Sequence, residues 1–456
     1  MIPLPNIFFA DLPKGVPLGS EMIAEACRAL KRNREKHLAP KTTAQMISLL
    51  AGLARQWLDP EFAFRKMAIS SGPEELGFSP QTISSGLDQF FRQITEPNLR
   101  ALVEQDLGHP DRLERLVANG TEQAQGRKSQ AVAPELILHF AAGNIPNPTL
   151  FSMVLGLLCR SSQFVKCATG ASLLPRLFAH SLREADPKLA ACLEIASWKS
   201  GNLELESALY DHIDCATATG GDETVAAIRA RIPVRIRFLG FGHRLSFAFI
   251  HSSALSGGNF REVVERSARD VSAWDQLGCL SPQVIYVDEG AVVSPRKFAE
   301  MLAEELARTE EQTPRGKVSV EVAATIASRR SFYEIRAAHS EETRMWASEK
   351  STAWTVVYEA DSLFQGSCLH RFIYVKATPD LEKALQAADR VRGQISTIGL
   401  AAAQDKILGL AATLAEWGVT RICPIGEMQN PPITWRHDGR LALADLITWS
   451  DWELPV

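Results

Sequence analysis

"ELILHFAAGNIPNPTLFSMVLGLLCRSSQFVKCATG", residues 135–170, reads as strand, turn, helix and strand in succession. "LILHFAA" is a short apolar run of strand length, and "GNIPNP" is dense in turn formers, with Gly143 and two prolines fixing a tight exit. A helix beginning near Pro148 or Thr149 then carries the chain back to "QFVKCAT". Two buried strands joined through a helix are the unit from which a parallel sheet is built.

The same alternation extends outward. "DCATATG", "VRIRFLG" and "LSFAFI" supply further strands, and "LPRLFAHSLREA" and "ETVAAIRARI" supply helices. After about residue 258 it restarts with helix "REVVERSARDVSAW", strand "QVIYVDE" and helix "PRKFAEMLAEELART". Strands "AWTVVYEA" and "FIYVKA" and helix "LEKALQAADRV" follow. Residues 19–126 are helical instead, and "FSPQTISSGLDQFF" opens on Ser79-Pro80, a pair suited to an N-cap and first turn. From Val419 the chain is rich in turns, prolines and polar groups before it ends in apolar "LALADLITWSDW". The expected fold class is therefore α/β, and 456 residues exceed one hydrophobic core, so two or three domains are required.

A net charge of -4 excludes the electrostatic footprint of a nucleic-acid or anionic-membrane binder. "LFSMVLGLLC" runs about half the ~20 residues of a membrane span and is closed by Arg160, so no span is expected. The N-terminal "MIPLPNIFFADLPKG" lacks a secretory pattern. The eight cysteines show no zinc-ligand spacing, so no metal site is expected; they point to a reducing cytoplasm with free thiols.

Five places can carry chemistry. Asn144 sits on the turn after the first strand, where its amide could donate to an oxyanion or cap the next helix. Lys166 ends the neighbouring strand at the same sheet edge, as a ligand or as a solvated strand end. Gly220 and Gly221 precede a helix whose N–H groups could meet a phosphate, although Asp222 and Glu223 oppose one. In "WDQLGCLSPQ", residues 274–283, Cys279 is either a nucleophile or one more buried thiol. At a reference pKa near 8.5 only roughly 3% of a thiol is thiolate at pH 7, so catalysis needs a base, cation or helix terminus nearby. His243, in "GFGHRLSFAFI", is the near-neutral titrating group of a segment that holds no Asp or Glu.

In order and spacing, "HFAAGNIPNP", "FVKCATGASLLP", "GGDETVAAIRARIP", "FGHRLSFAFI", "DQLGCLSPQVIYV", "RICPIGEMQNPP" and "HDGRLALADLITW" resemble the LuxC-type fatty acyl (acyl-CoA) reductases of the aldehyde dehydrogenase superfamily. The resemblance covers most of the chain. It implies an aldehyde dehydrogenase-like fold: a helical N-terminal region with a Rossmann-type NAD(P) domain over 1–250, a catalytic domain over 251–420, and a segment over 421–456 that packs back near the site.

By resemblance, Cys279 matches the acyl-accepting nucleophile and Asn144 the oxyanion-hole asparagine. Lys166 matches the lysine on the adenosine ribose, and Gly220 and Gly221 match the turn beside the cofactor. Where oxidising relatives place a water-activating glutamate, the segment around Gly240 has no acid, which favours reduction of an acyl donor; His243 is the local candidate for proton transfer. Where NAD-preferring relatives carry a glutamate, this chain has Thr169, which favours NADPH. The nicotinamide-ribose glutamate has no clear match, Glu359 being the nearest acid. The implied reaction reduces a fatty acyl thioester to the aldehyde through an acyl-cysteine. An acyl-CoA or acyl-protein donor, an acyl-transferase or acyl-protein synthetase partner, and a homo-oligomer are implied with it. The rivals are the oxidising direction on the same fold and a non-catalytic docking subunit; chain length and donor are open.

Overall fold

The computed structural model describes residues 4–13, 15–256, 258 and 260–453. Residues 1–3, 14, 257, 259 and 454–456 lie outside it, and with them the extreme ends of the first and last units expected from the sequence. The N-terminal region is helical as read. Thr42 caps Thr43–Leu58 in a capping box with Gln45, and Ser79 caps Pro80–Gln93, whose first residue is the proline.

The strands are β1 (Arg127–Val132), β2 (Leu136–Phe140), β3 (Ser162–Cys167), β4 (Leu193–Ser197), β5 (Cys215–Thr219), β6 (Arg237–Phe241), β7 (Leu245–Ile250), β8 (Val284–Asp288), β9 (Thr343–Ala347), β10 (Thr355–Glu359), β11 (Phe372–Thr378), β12 (Ile395–Ala401), β13 (Arg421–Pro424) and β14 (Thr448–Glu453). β4, β3, β2, β5 and β6 form, in that order, an all-parallel five-stranded sheet. The chain steps outward from β2 to β4, then crosses to the other side of β2. This leaves a crevice between the loops after β2 and β5, where open parallel sheets bind ligands.

The second sheet has the order β13-β12-β7-β8-β11-β10-β9 and is parallel except where β9 runs against β10. β1 and β14 form an antiparallel ribbon. Every residue of β2, β3, β7, β8 and β11 is buried, as parallel strands covered on both faces must be. Cores fill both faces of each sheet. The N-terminal helices and Asn147–Leu158 share one with the first sheet, and Ser20–Asn33 packs on its other face.

The division between sheets differs from the sequence reading, which placed "LSFAFI" in the first unit and a boundary at 250. β7 belongs to the seven-stranded sheet, so the chain changes sheets between Phe241 and Leu245. A strand buried on both faces has no alternation to say which sheet it joins. The segment from 421 is likewise shared: β13 edges the large sheet, and β14 closes the ribbon with β1.

Candidate active site

Helix Phe260–Ser272 runs into Trp274 (φ 50°), Asp275 (φ 51°) and Gln276 (φ 65°), three consecutive non-glycine residues in the left-handed region. Each such residue costs about 1 kcal/mol or more, so the run persists only where its surroundings determine it. Here they do. Asp275 Oδ1 accepts from Arg371 Nε (3.0 Å) and Nη2 (2.7 Å), while Oδ2 accepts from the Gly316 N–H (2.9 Å). Gln276 Nε2 donates to the carbonyls of Pro282 (2.8 Å) and Phe372 (3.0 Å). The Trp274 indole lies over Gly86 so closely that a Cβ there would come within 1.9 Å of Cζ2.

Arg371 has no exposed surface and also donates to Glu310 (2.9 Å) and the Thr313 carbonyl (3.0 Å). It ends a second left-handed run, Leu369 (φ 62°), His370 (φ 57°) and Arg371 (φ 64°). Two strained turns are thus joined by one buried ion pair, and Cys279 lies three residues beyond the first. Ser246 Oγ donates to the Cys279 carbonyl (2.8 Å), and a Cβ on Gly278 would fall 2.5 Å from Gln429 Nε2.

Of the eight cysteines, six are buried, whereas Cys279 and Cys368 keep accessible surface. Cys279 opens on a cavity of about 130 Å³. Its walls are mostly hydrocarbon: Phe90 and Ile94 from the N-terminal helices, Ile145 and Phe151 around the start of helix Asn147–Leu158, and Pro432 and Ile433 from the tail. No Asp or Glu is among the described lining residues. Burial pushes the Cys279 thiol up to about 11, and Asp438 adds to the rise. The backbone N–H groups of Cys279 and Leu280, together with Arg244, pull the other way.

Asn144, on the exposed loop after β2, donates from Nδ2 to the Leu277 carbonyl (2.9 Å), so its amide meets the cysteine turn two residues from Cys279. Lys166, at the end of β3, is buried, donates to Ser200 Oγ (3.1 Å) and stands 5.9 Å from the Trp198 ring centre. Burial lowers its pKa. Thr169 is exposed on the following loop. The Gly220 N–H donates to the Phe241 carbonyl, and Gly221 caps helix Asp222–Arg231 at φ -65° with open space where a Cβ would stand. The buried amine, the open glycine turn and the crevice between the β2 and β5 loops fit a nicotinamide dinucleotide. Asp222, which would oppose its phosphates, accepts instead from the His243 N–H (2.7 Å).

His243 itself is exposed and does not line the cavity. The histidine that does is His437, which the sequence reading did not single out. It lies in "TWRHDGR", where His-Asp-Gly is a turn signal placed far along the chain from its partners. Its ring stacks on Phe241 (4.8 Å between centres, 14° between planes) and makes a tilted contact with Trp435 (4.8 Å, 38°). It also borders a second cavity of about 60 Å³ beneath β5 and β6.

The family model described as acyl-CoA reductase (LuxC) matches residues 38–449. A long-chain acyl-protein thioester reductase of Vibrio harveyi is 22% identical over 353 residues, 76% of this chain and 70% of that protein. One from Photorhabdus laumondii is 20% identical over 416 residues, 90% of this chain and 82% of the relative. In structure, an NAD-dependent benzaldehyde dehydrogenase of Corynebacterium glutamicum superposes with a TM-score of 0.67 at 13% identity, covering 95% of this chain and 91% of that one. A variant of Thermus thermophilus 1-pyrroline-5-carboxylate dehydrogenase gives 0.67 at 16%, covering 95% and 86%. The fold is thus aldehyde dehydrogenase-like.

Proposed function

Because the chain belongs to the acyl-CoA reductase (LuxC) family, an oxidoreductase family acting on acyl groups, we propose that it draws a fatty acyl group from a thioester onto Cys279 and releases it as the aldehyde, with NADPH as reductant. The observation that carries this reading is the cavity at Cys279: apolar, facing the Asn144 loop, and without a carboxylate on its described walls. A hydrocarbon chain gains by leaving water for such a lining. The glutamate that activates water in oxidising relatives has no counterpart on these described walls, which favours reduction of an acyl-cysteine over its hydrolysis.

Cys279 Sγ attacks the acyl carbon, forming the new C–S bond as the carbonyl oxygen takes up negative charge. Asn144 Nδ2, turning from the Leu277 carbonyl, and the Cys279 N–H donate to that oxygen; expulsion of the donor's thiolate, which takes up a proton, leaves the acyl-cysteine. The nicotinamide, when bound, supplies the hydride. Cys279 then departs as thiolate and the aldehyde is freed. The five-stranded unit presents Lys166 and the Gly220–Gly221 turn to the cofactor, the seven-stranded unit presents the cysteine, and the tail from 421 walls the site.

NADPH is favoured by neutral Thr169 beside Lys166, and the exposed Lys199 on the next loop adds a second cation. The donor is an acyl-protein or acyl-CoA thioester. An acylating partner enzyme and a homo-oligomer complete the reading. Among the described residues no helix is long and apolar enough to cross a membrane.

Intact mass after incubation with acyl-CoA tests this. The expected result is one acyl increment that disappears on adding NADPH and is absent from Cys279→Ala. A folded Cys279→Ala protein that still takes up the acyl group overturns it. The oxidising reading predicts acid from aldehyde and NADP without CoA, and this site is expected to yield none.

A further inference from the structure

We propose that His437 is the proton carrier of the acyl-transfer step: its imidazole takes the proton from the Cys279 thiol and hands it to the departing thiolate, with Asp438 as its positioning residue. The proposal rests on the reading of Cys279 as the acyl acceptor and adds to it a group that the sequence did not offer.

The geometry begins with the cavity, which Cys279 and His437 line together. Stacked on Phe241 and in tilted contact with Trp435, the imidazole has its plane set by two aromatic neighbours. Its Nε2 is 3.9 Å from Asp438 Oδ1, a buried oxygen with no hydrogen-bond partner among the described residues. Asp438 Oδ2 pairs with Arg244 Nε at 3.3 Å, so the carboxylate is anchored on one side and open toward the histidine on the other. Asp438 reaches this position through a left-handed backbone (φ 52°) followed by Gly439 (φ 77°). A strained turn that aims a buried carboxylate at a ring is the kind of feature found at working sites. A proton on Nε2, the nitrogen facing Asp438, leaves the lone pair on Nδ1, as a base requires.

The chemistry calls for such a group. With its thiol pushed up to about 11, Cys279 is almost wholly protonated at neutral pH and is a poor nucleophile unaided. Burial holds His437 below its ordinary value, with Arg440 and Arg244 acting in the same sense and Asp438 against them. Those three are the charged groups that act on the ring, and the outcome is a neutral imidazole at pH 7. One proton moves from sulfur to nitrogen as the new C–S bond forms, and from nitrogen to the leaving sulfur as the old one breaks. No net proton is consumed in acylation. The later hydride step releases Cys279 as thiolate and does not need the base.

Full-length His437→Phe, which keeps the aromatic stack, and His437→Gln separate these steps. Acylation is followed by quenched intact mass with acyl-CoA between pH 6 and 9.5. Both variants are expected to acylate about 100-fold more slowly at pH 7, with the rate rising about tenfold per pH unit as free thiolate takes over. Release of preformed acyl-enzyme by NADPH is expected to stay within about twofold of the parent, and NADPH titration by fluorescence checks the fold. Asp438→Asn, tolerant of the left-handed backbone, is expected to move the acid limb of the acylation profile to lower pH. If the Phe variant, or the Gln variant should Phe not fold, acylates at the parent rate with the parent pH profile, His437 is not the carrier. If Cys279→Ala is acylated as well, it is the assignment of the acceptor that has failed.

Discussion

Around Cys279 each backbone irregularity has a partner that fixes it: Arg371 for Asp275, two carbonyls for Gln276, the gap over Gly86 for Trp274. At the edge proposed for the cofactor the corresponding residues are nearly free of such constraint. Thr169 and Gly221 are exposed, and Lys166 is held by one serine hydroxyl and the ring of Trp198. The contrast matches what each side is proposed to do. A covalent nucleophile must be placed to within fractions of an ångström, and strain is tolerated where a buried network over-determines it. A dinucleotide spreads its binding over many weak contacts and must leave after every turnover, so its loops are open.

If this division of labour is right, substitutions on the two sides differ in kind. Arg371→Met strands the Asp275 carboxylate in the interior and is expected to lower stability by about 3–5 kcal/mol in denaturant unfolding. A loss below about 1 kcal/mol would mean that the ion pair does not hold the turn. Asn144→Ala leaves the fold intact but is expected to slow acylation roughly 10²–10³-fold with NADPH affinity unchanged, read by single-turnover kinetics. Gly86→Ala drives a methyl into Trp274, and a cost of about 1–3 kcal/mol in thermal unfolding is expected; a neutral result would show that the indole can move. Thr169→Glu sets a carboxylate beside Lys166 and is expected to shift preference from NADPH toward NADH by about tenfold in kcat/KM. Gly221→Ala is expected to change stability by less than about 0.5 kcal/mol, because nothing lies within 4 Å of the added methyl.

The sequence made legible what local punctuation marks. "GNIPNP" announced the turn between β2 and the following helix, and Ser79-Pro80 announced the helix it starts. Cys279 stood out only in series with Asn144 and Lys166, since a single Gly-Cys step carries no signal of its own. "LSFAFI" is legible as a strand but not as a member of the second sheet, because a strand buried on both faces does not name its neighbours. "LEIAS" (β4) and "ISTIGLA" (β12) are absent from the sequence-based expectation, being bounded by weak turn signals. What remained hidden depends on distance along the chain. Arg371 meets Asp275 across 96 residues, and His437 stacks on a phenylalanine of the other sheet's unit. His243 stands out in the sequence for its position on the segment around Gly240, but it is exposed while the cavity is bordered by a histidine from the tail.

The wall supplied by the tail bears on how the molecule assembles. The hydrogen bond between Gln93 and Asn430, which line that wall, spans 337 residues, and the ribbon bond from Thr448 to the Val132 carbonyl spans 316. The strands of the five-stranded sheet come instead from one stretch between Leu136 and Phe241. Closing long loops is entropically slow, so local sheets form before distant segments dock. During refolding, helical signal and the proposed nucleotide binding are therefore expected to return first, and the proposed capture of an acyl group last. For this chain, the proposed acylation would be a test of the finished fold.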